Sequence, residues 1–376
     1  MLAAVIPSGE FFPAAAIGAA FAGEPAVRAS VACLDSATSA LSLAVRMARE
    51  MRAVDAPEVV VPAYSCPDIP AAVIGAGAWP VPVDVEAGSP YPRAASIAAA
   101  LGPNTVAVIS ASLFGRDAPD LVAVDATCRQ AGVLHIVDRA QSLPELTASR
   151  PDAVEVYSCG RGKPVSLGYG GLLVVGERQL EFLARQRQHI GASSASLAAR
   201  TKLLARALLL RAATTGPGTF VARRLPFMGV GTTRYHAAGA PRFVPATLLG
   251  AVEHSLANPR AWPNAAARVY DAHAWQSATP LFEAGSSPPL WRYPVLLRDA
   301  AARDRITAMP RAGDLGLSAL YRREVSTYLP PEALPARLRG AAWPNAHELG
   351  ARLLTLPVHS RVDERIALDI LRRVDP

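Results

Sequence analysis

The chain has 376 residues, 51 % of them hydrophobic and 18 % charged, which excludes intrinsic disorder and leaves room for one large domain with a smaller companion. Its formal charge of +7 is spread along the sequence with no run of five or six basic residues, so the excess is no footprint of nucleic-acid binding.

The amino-terminal stretch MLAAVIPSGEFFPAAAIGAAFAG is apolar, but it has no basic start, and Pro7, Glu10 and Pro13 interrupt it. It reads as mature sequence rather than a signal peptide. From residue 36 onward, strand and helix patterns alternate. Ser36 and Thr38 precede an apolar-periodic run from Leu41 to Ala48, the pattern of a capped helix. Glu58–Pro62 reads as a short buried strand, Ile69–Gly75 as a helix and Trp79–Val83 as extended chain. Thr105–Ser110 is a second buried strand, followed by a helix over Leu121–Gln130. A strand over Val133–Asp138 ends in a carboxylate, and two more strands cover Ala153–Ser158 and Leu172–Val175. Short, wholly apolar strands alternating with helices predict an α/β fold: a mostly parallel sheet covered by helices on both faces. In such sheets ligands gather beyond the carboxyl ends of the strands, where Ser110, Asp138 and Ser158 stand.

After Glu177 the chain turns helical. Leu197–Ala213 reads as an apolar packing or dimer helix carrying four basic residues, and Thr214–Pro241 as a long irregular connection. Helices are then predicted over Pro245–Leu256 and Ala261–Trp275. A strand over Trp291–Leu297, a helix over Ala300–Met309, a strand over Arg352–Leu356 and a helix over Asp363–Arg373 complete a smaller α+β unit. The expected division is a cofactor-binding domain over residues 1–240 and a smaller carboxyl-terminal domain over 241–376.

Three features bear on chemistry. Ser36-Ala-Thr-Ser-Ala40 opens a helix, where free backbone N–H groups suit a phosphate, although an ordinary N-cap has the same appearance. Asp138 at a strand end suits a metal ligand, a general base or the partner of a protonated ring nitrogen. Ser158-Cys-Gly-Arg-Gly-Lys163 leaves a serine and a lysine on a glycine-bearing loop. The lysine stands out because Lys163 and Lys202 are the only two in the chain; the other basic residues are arginines, which stay protonated. A phosphate cradle, a strand-end carboxylate and a lysine together match the needs of pyridoxal phosphate. The four cysteines, Cys33, Cys66, Cys128 and Cys159, are too dispersed for a zinc site or a disulfide framework. Their spacing points to a reducing, cytoplasmic setting, and no metal is expected.

In this order the motifs resemble the DegT/DnrJ/StrS family of sugar aminotransferases, fold-type I pyridoxal-phosphate enzymes. Ser36-Ala-Thr-Ser-Ala-Leu41 is similar to its S-G-T-x-A-L turn. Val59–Ser65 with Ala76–Asp84 is similar to its V-P-A-Y-T-F … G-A-x-P-V-F-V-D segment, and Leu113-Phe-Gly115 to its L-Y-G. Ile136–Gln141 parallels E-D-A-A-Q, Ser158–Lys163 the S-F-x-x-x-K spacing, and Asn345-Ala with Leu356-Pro-Val-His359 the N-A … L-P-x-H signature. The resemblance implies that Lys163 bonds the cofactor and shuttles the proton, and that Asp138 pairs with the pyridine nitrogen. It also implies that Gln141 lies beside the ring and that Ala37, Thr38 and Ser158 hold the phosphate.

This chain departs from the family pattern at several positions. Ala37 replaces a glycine, Cys66 replaces the aromatic that stacks on the ring, and Tyr169 replaces an acid. The N-x-R stretch that reaches the partner subunit's cofactor is missing, with Arg234 and Tyr235 as stand-ins. The activity implied is amino transfer from an amino acid such as glutamate to a keto group of a nucleotide-linked sugar, by a homodimer with no membrane span. A pyridoxal-phosphate dehydratase or a non-catalytic, regulatory cofactor-binding protein would share the scaffold. The family's dehydratases typically lack the lysine that this chain keeps.

Overall fold

The structure is a computed structural model and describes residues 10–11, 28–190, 201, 205, 235–257, 265–285, 290–310, 312–313, 315–359 and 361–376. Its centre is a seven-stranded sheet. In spatial order the strands are Val31–Leu34, Gly171–Val175, Val154–Ser158, Leu134–Asp138, Thr105–Ala111, Glu58–Pro62 and Trp79–Val83. The Gly171–Val175 strand runs antiparallel to both its neighbours, and the other adjacent pairs are parallel. The parallel strands are apolar on both faces because both faces are covered: Val59, Val61, Ile109 and Ile136 pack in one cluster, Val60, Val81 and Val108 in another.

The Ala37–Met51 helix begins as its sequence predicts, with the Ser36 hydroxyl accepting the Ser39 N–H at 3.1 Å. Val31–Leu34, Ala94–Ala100 and Pro344–Arg352 are elements the periodicity did not reveal. The helix expected to run to Trp275 stops at Asp271, where the Tyr270 carbonyl accepts from the Trp275 indole at 3.0 Å. Arg352, expected to open a strand, closes the helix before it. The Leu197–Ala213 helix lies outside the described residues except for Thr201 and Ala205, which are helical; Thr214–Arg234 lies outside them altogether. Among the described residues no helix is long and apolar enough to cross a membrane.

The carboxyl-terminal part builds a three-stranded antiparallel sheet from Ala278–Pro280, Arg292–Leu297 and Leu353–Pro357, flanked by the helices Ala300–Ala308, Pro344–Arg352 and Glu364–Val374. The Thr247–Ala257 helix sits apart from it. Its Leu248, Leu249 and Val252 pack with Val31, Leu172 and Val174 of the large sheet.

Polar links join the two lobes. Asp84, just past the Trp79–Val83 strand, caps a distant helix. Its carboxylate accepts the Asn345 and Ala346 amides at 3.1 and 2.8 Å, at the start of Pro344–Arg352. The Trp343 indole donates to the Pro82 carbonyl at 3.0 Å, and Val325 N–H to the Ala63 carbonyl at 2.7 Å. Arg337 grips Glu58 through both of its terminal nitrogens.

Candidate active site

Beyond the carboxyl ends of the parallel strands lies a cavity of about 540 Å³. Ala37, Thr38, Cys66, Asp138, Gln141, Ser158 and Lys163 all line it, so residues drawn from separate segments of the chain meet in one place. Tyr235 is placed against the hydrophobic core and is not among the lining residues; Arg234 lies outside the described residues. Ser110, expected at the same edge, points to the opposite face. Its hydroxyl lies 2.9 Å from His135 Nε2, and the other ring nitrogen is 3.3 Å from Asp125. Alternation along the strand separates it from Ala111, which does line the cavity.

The end of the cavity lined by Ala37 and Thr38 is built by a close approach. Ala37 and Thr38 are the first two residues of their helix, so their N–H groups have no acceptor within it, and both residues face the cavity. Ser36 is bridged to Gly170, whose N–H donates to the Asp35 carbonyl at 3.0 Å. A Cβ placed on the neighbouring Gly171 would lie 2.4 Å from the Ala37 nitrogen, a contact with backbone that cannot swing aside. Gly171→Ala is therefore expected to cost about 1–3 kcal/mol of stability and to weaken cofactor binding in the same protein. Thermal unfolding and a pyridoxal-phosphate titration check this, and wild-type values for both would refute the cradle. Ala37 itself has no left-handed backbone, which explains why a residue with a Cβ serves where the family has glycine.

Asp138 is 6 % exposed, and burial pushes its carboxyl up to about 6, opposed by the charge of Lys163 and the N–H of Ala140 at 3.0 Å. A buried carboxylate held up in this way suits a cationic partner, which a protonated pyridine nitrogen supplies. Gln141 is engaged at both ends: Oε1 accepts from Phe114 N–H at 2.7 Å, and Nε2 donates to the Tyr321 hydroxyl at 3.0 Å. Phe114 has φ 58° and Gly115 φ 85°, the left-handed pair of a tight two-residue turn between Leu113 and Arg116. Gln141 thereby fixes a strained turn and a tyrosine at once.

Lys163 rides a loop tied by Gly162 N–H to Ser166 Oγ at 3.1 Å and by Ser166 Oγ to the Gly160 carbonyl at 3.3 Å. The Ser158 hydroxyl accepts from Gly160 N–H at 3.2 Å. The lysine ammonium stands 5.8 Å from the centre of the Trp291 ring. Trp291, just ahead of the Arg292–Leu297 strand, thus brings an aromatic to the lysine.

Tyr321 is the other residue the sequence did not reveal. It lines the cavity from the smaller lobe, buried, with Tyr64 packed edge-on behind it at 5.5 Å. Cys66, whose thiol burial pushes up to about 12, lines the same cavity as a neutral group. Asp35, Asp68, Arg161 and Tyr169 complete the polar wall.

The family model described as the DegT/DnrJ/EryC1/StrS aminotransferase family matches residues 18–206. The chain belongs to this family. It is a pyridoxal-phosphate-dependent aminotransferase, and the cavity fits that cofactor: the first two residues of a helix, a buried carboxylate and a lysine all line it.

Solved structures agree on the fold. A sugar aminotransferase from Micromonospora echinospora is 18 % identical, with 98 % of this chain and 99 % of that one covered and a TM-score of 0.67. Helicobacter pylori PseC, an aminotransferase involved in pseudoaminic acid biosynthesis, is 14 % identical, with 100 % and 97 % covered and a TM-score of 0.69. A Streptococcus pneumoniae chain in its PLP form is 15 % identical, with 98 % and 97 % covered and a TM-score of 0.67. No curated protein matches the sequence significantly.

Proposed function

We propose that this aminotransferase moves an amino group from an amino acid, with glutamate the first candidate, to a keto group of a nucleotide-linked sugar. The observation that carries the reading is the meeting of Lys163, Asp138 and the Ala37–Thr38 amides in one cavity. The cofactor, when bound, supplies an electrophilic carbonyl and a ring that draws electrons. Lys163 is the amine that bonds it and moves the proton at the substrate carbon. Asp138 holds the ring nitrogen protonated, and Ala37, Thr38 and Ser158 hold the phosphate. Gln141 positions Tyr321, which, with Tyr169, offers the aromatic surface that Cys66 does not. The sugar acceptor is supported by the family and by the sugar aminotransferases that share the fold.

The same reading makes the protein a homodimer with the cofactor near the subunit boundary, a two-fold pair being the commonest closed assembly. Purified protein, incubated with pyridoxal phosphate, glutamate and a panel of keto nucleotide sugars, is expected to yield an amino sugar by mass spectrometry. Light scattering is expected to give twice the chain mass. Conversion of the bound cofactor by glutamate without any sugar product would remove the sugar acceptor alone. A protein that binds the cofactor and leaves it unchanged with every amino acid would favour a regulatory scaffold.

A further inference from the structure

Of the three carboxylates that line the cofactor cavity, two are engaged. Asp35 accepts from the Ser39 hydroxyl at 2.5 Å, and Asp138 accepts from the Ala140 N–H at 3.0 Å. The third, Asp68, has no hydrogen-bond or ion-pair partner for its carboxylate among the described residues. It is half-buried, and it opens the Asp68–Gly75 helix two positions after Cys66. The cofactor itself brings a phosphate into this cavity. An unpartnered carboxylate on the same wall is therefore unfavourable unless a cation near it offsets the charge.

Two neighbours show where that cation belongs. The charge of Asp68 reaches both the Cys66 thiol and the Asp138 carboxyl, and it raises the proton affinity of each. A field that disfavours further negative charge at Asp138 favours positive charge beside it. The wall is partly desolvated there: Asp138 is 6 % exposed, and Ile69, buried, lines the cavity next to Asp68. Water screens such a field weakly.

We propose that Asp68 is a positioning residue for the charge of the cofactor: its field, added to that of Asp138, holds the proton on the pyridine nitrogen. Asp138 is the partner of that nitrogen, and Asp68 strengthens the pairing from the next wall. The proposal rests on the assignment of Asp138 to the ring nitrogen and holds whatever the amino acceptor.

Calorimetric titration of the cofactor-stripped protein tests it, with pyridoxal phosphate and with its deaza analogue, in which a ring C–H replaces the nitrogen. The analogue keeps the phosphate and the aldehyde but takes no proton on the ring. Wild type is expected to bind pyridoxal phosphate the more tightly, and Asp68→Asn to shrink that ratio about three- to tenfold. Asp68→Glu, which restores the charge, is expected to recover most of the ratio. A side chain that only started its helix would, on substitution, weaken both ligands alike and leave the ratio untouched. Should Asp68→Asn not fold, Asp68→Ser, a residue suited to a helix start, is expected to show the same loss. An unchanged ratio in the neutral variant, or the same loss in Asp68→Glu as in Asp68→Asn, would overturn the role of Asp68. A wild-type ratio in Asp138→Asn would instead remove the assignment of Asp138 on which the proposal rests, so the two failures read differently.

Discussion

Replacing Lys163 by arginine is expected to abolish turnover, by at least about 10⁴-fold, while the protein still folds. Arginine keeps the positive charge that faces the Trp291 ring at 5.8 Å and that lowers the proton affinity of Asp138. It cannot shed a proton at any working pH, so it can neither bond a carbonyl carbon nor carry a proton to the substrate. The variant therefore separates the charge of the lysine from its chemistry. Steady-state amino transfer measures the loss. Borohydride reduction of the wild type with peptide mapping locates the bond, since only two lysines can take the label. Label on Lys202, or appreciable turnover by Lys163→Arg, would remove Lys163 from the reaction.

Asp138→Asn is expected to slow amino transfer about 10²–10³-fold, the scale of losing one preorganised electrostatic partner. The same substitution is expected to stabilise the cofactor-free protein at neutral pH. Burial raises the carboxyl from the ordinary value of 3.8 to about 6, so the folded state holds the proton more tightly than the unfolded chain. The stability this gives is full below pH 3.8 and is lost as pH climbs through 6. Asparagine has no proton to lose. Its advantage over wild type should therefore grow across that window, by up to roughly 3 kcal/mol. Urea unfolding of both cofactor-free proteins at pH 4.5 and pH 7.5 reads the effect. A side chain that merely ends a strand would lose stability on substitution and leave the rate untouched, so the opposite signs distinguish the two roles.

Most of the large sheet was legible because its strands are short β-branched or apolar runs, with Pro62 and Asp138 closing two of them. The Ala37–Met51 helix was legible because Ser36 caps it locally. Pro344–Arg352 was not, because its anion is Asp84, 261 positions away from Asn345. Ala94–Ala100 has no side-chain cap of its own, and Val31–Leu34 is four residues without alternation. In the site, the residues carried on large-lobe motifs could be named beforehand. Tyr321 and Trp291 could not, since tertiary packing alone carries them from the other lobe to the lysine. Ser110 was misplaced for a simpler reason: which face a strand residue takes depends on register, and a wholly apolar strand gives no alternation from which to read it.

The links between the lobes bear on how substrate enters and leaves. Asp84, Pro82, Ala63 and Glu58 lie along the outer strands of the large sheet, and each is held by the smaller lobe. A hinge that opened the cleft would have to break a helix cap, an indole bond and a forked ion pair together, leaving the first amides of the Pro344–Arg352 helix without the Asp84 carboxylate. While these links hold, Tyr321 stays on the cavity wall, tied to the large lobe through Gln141.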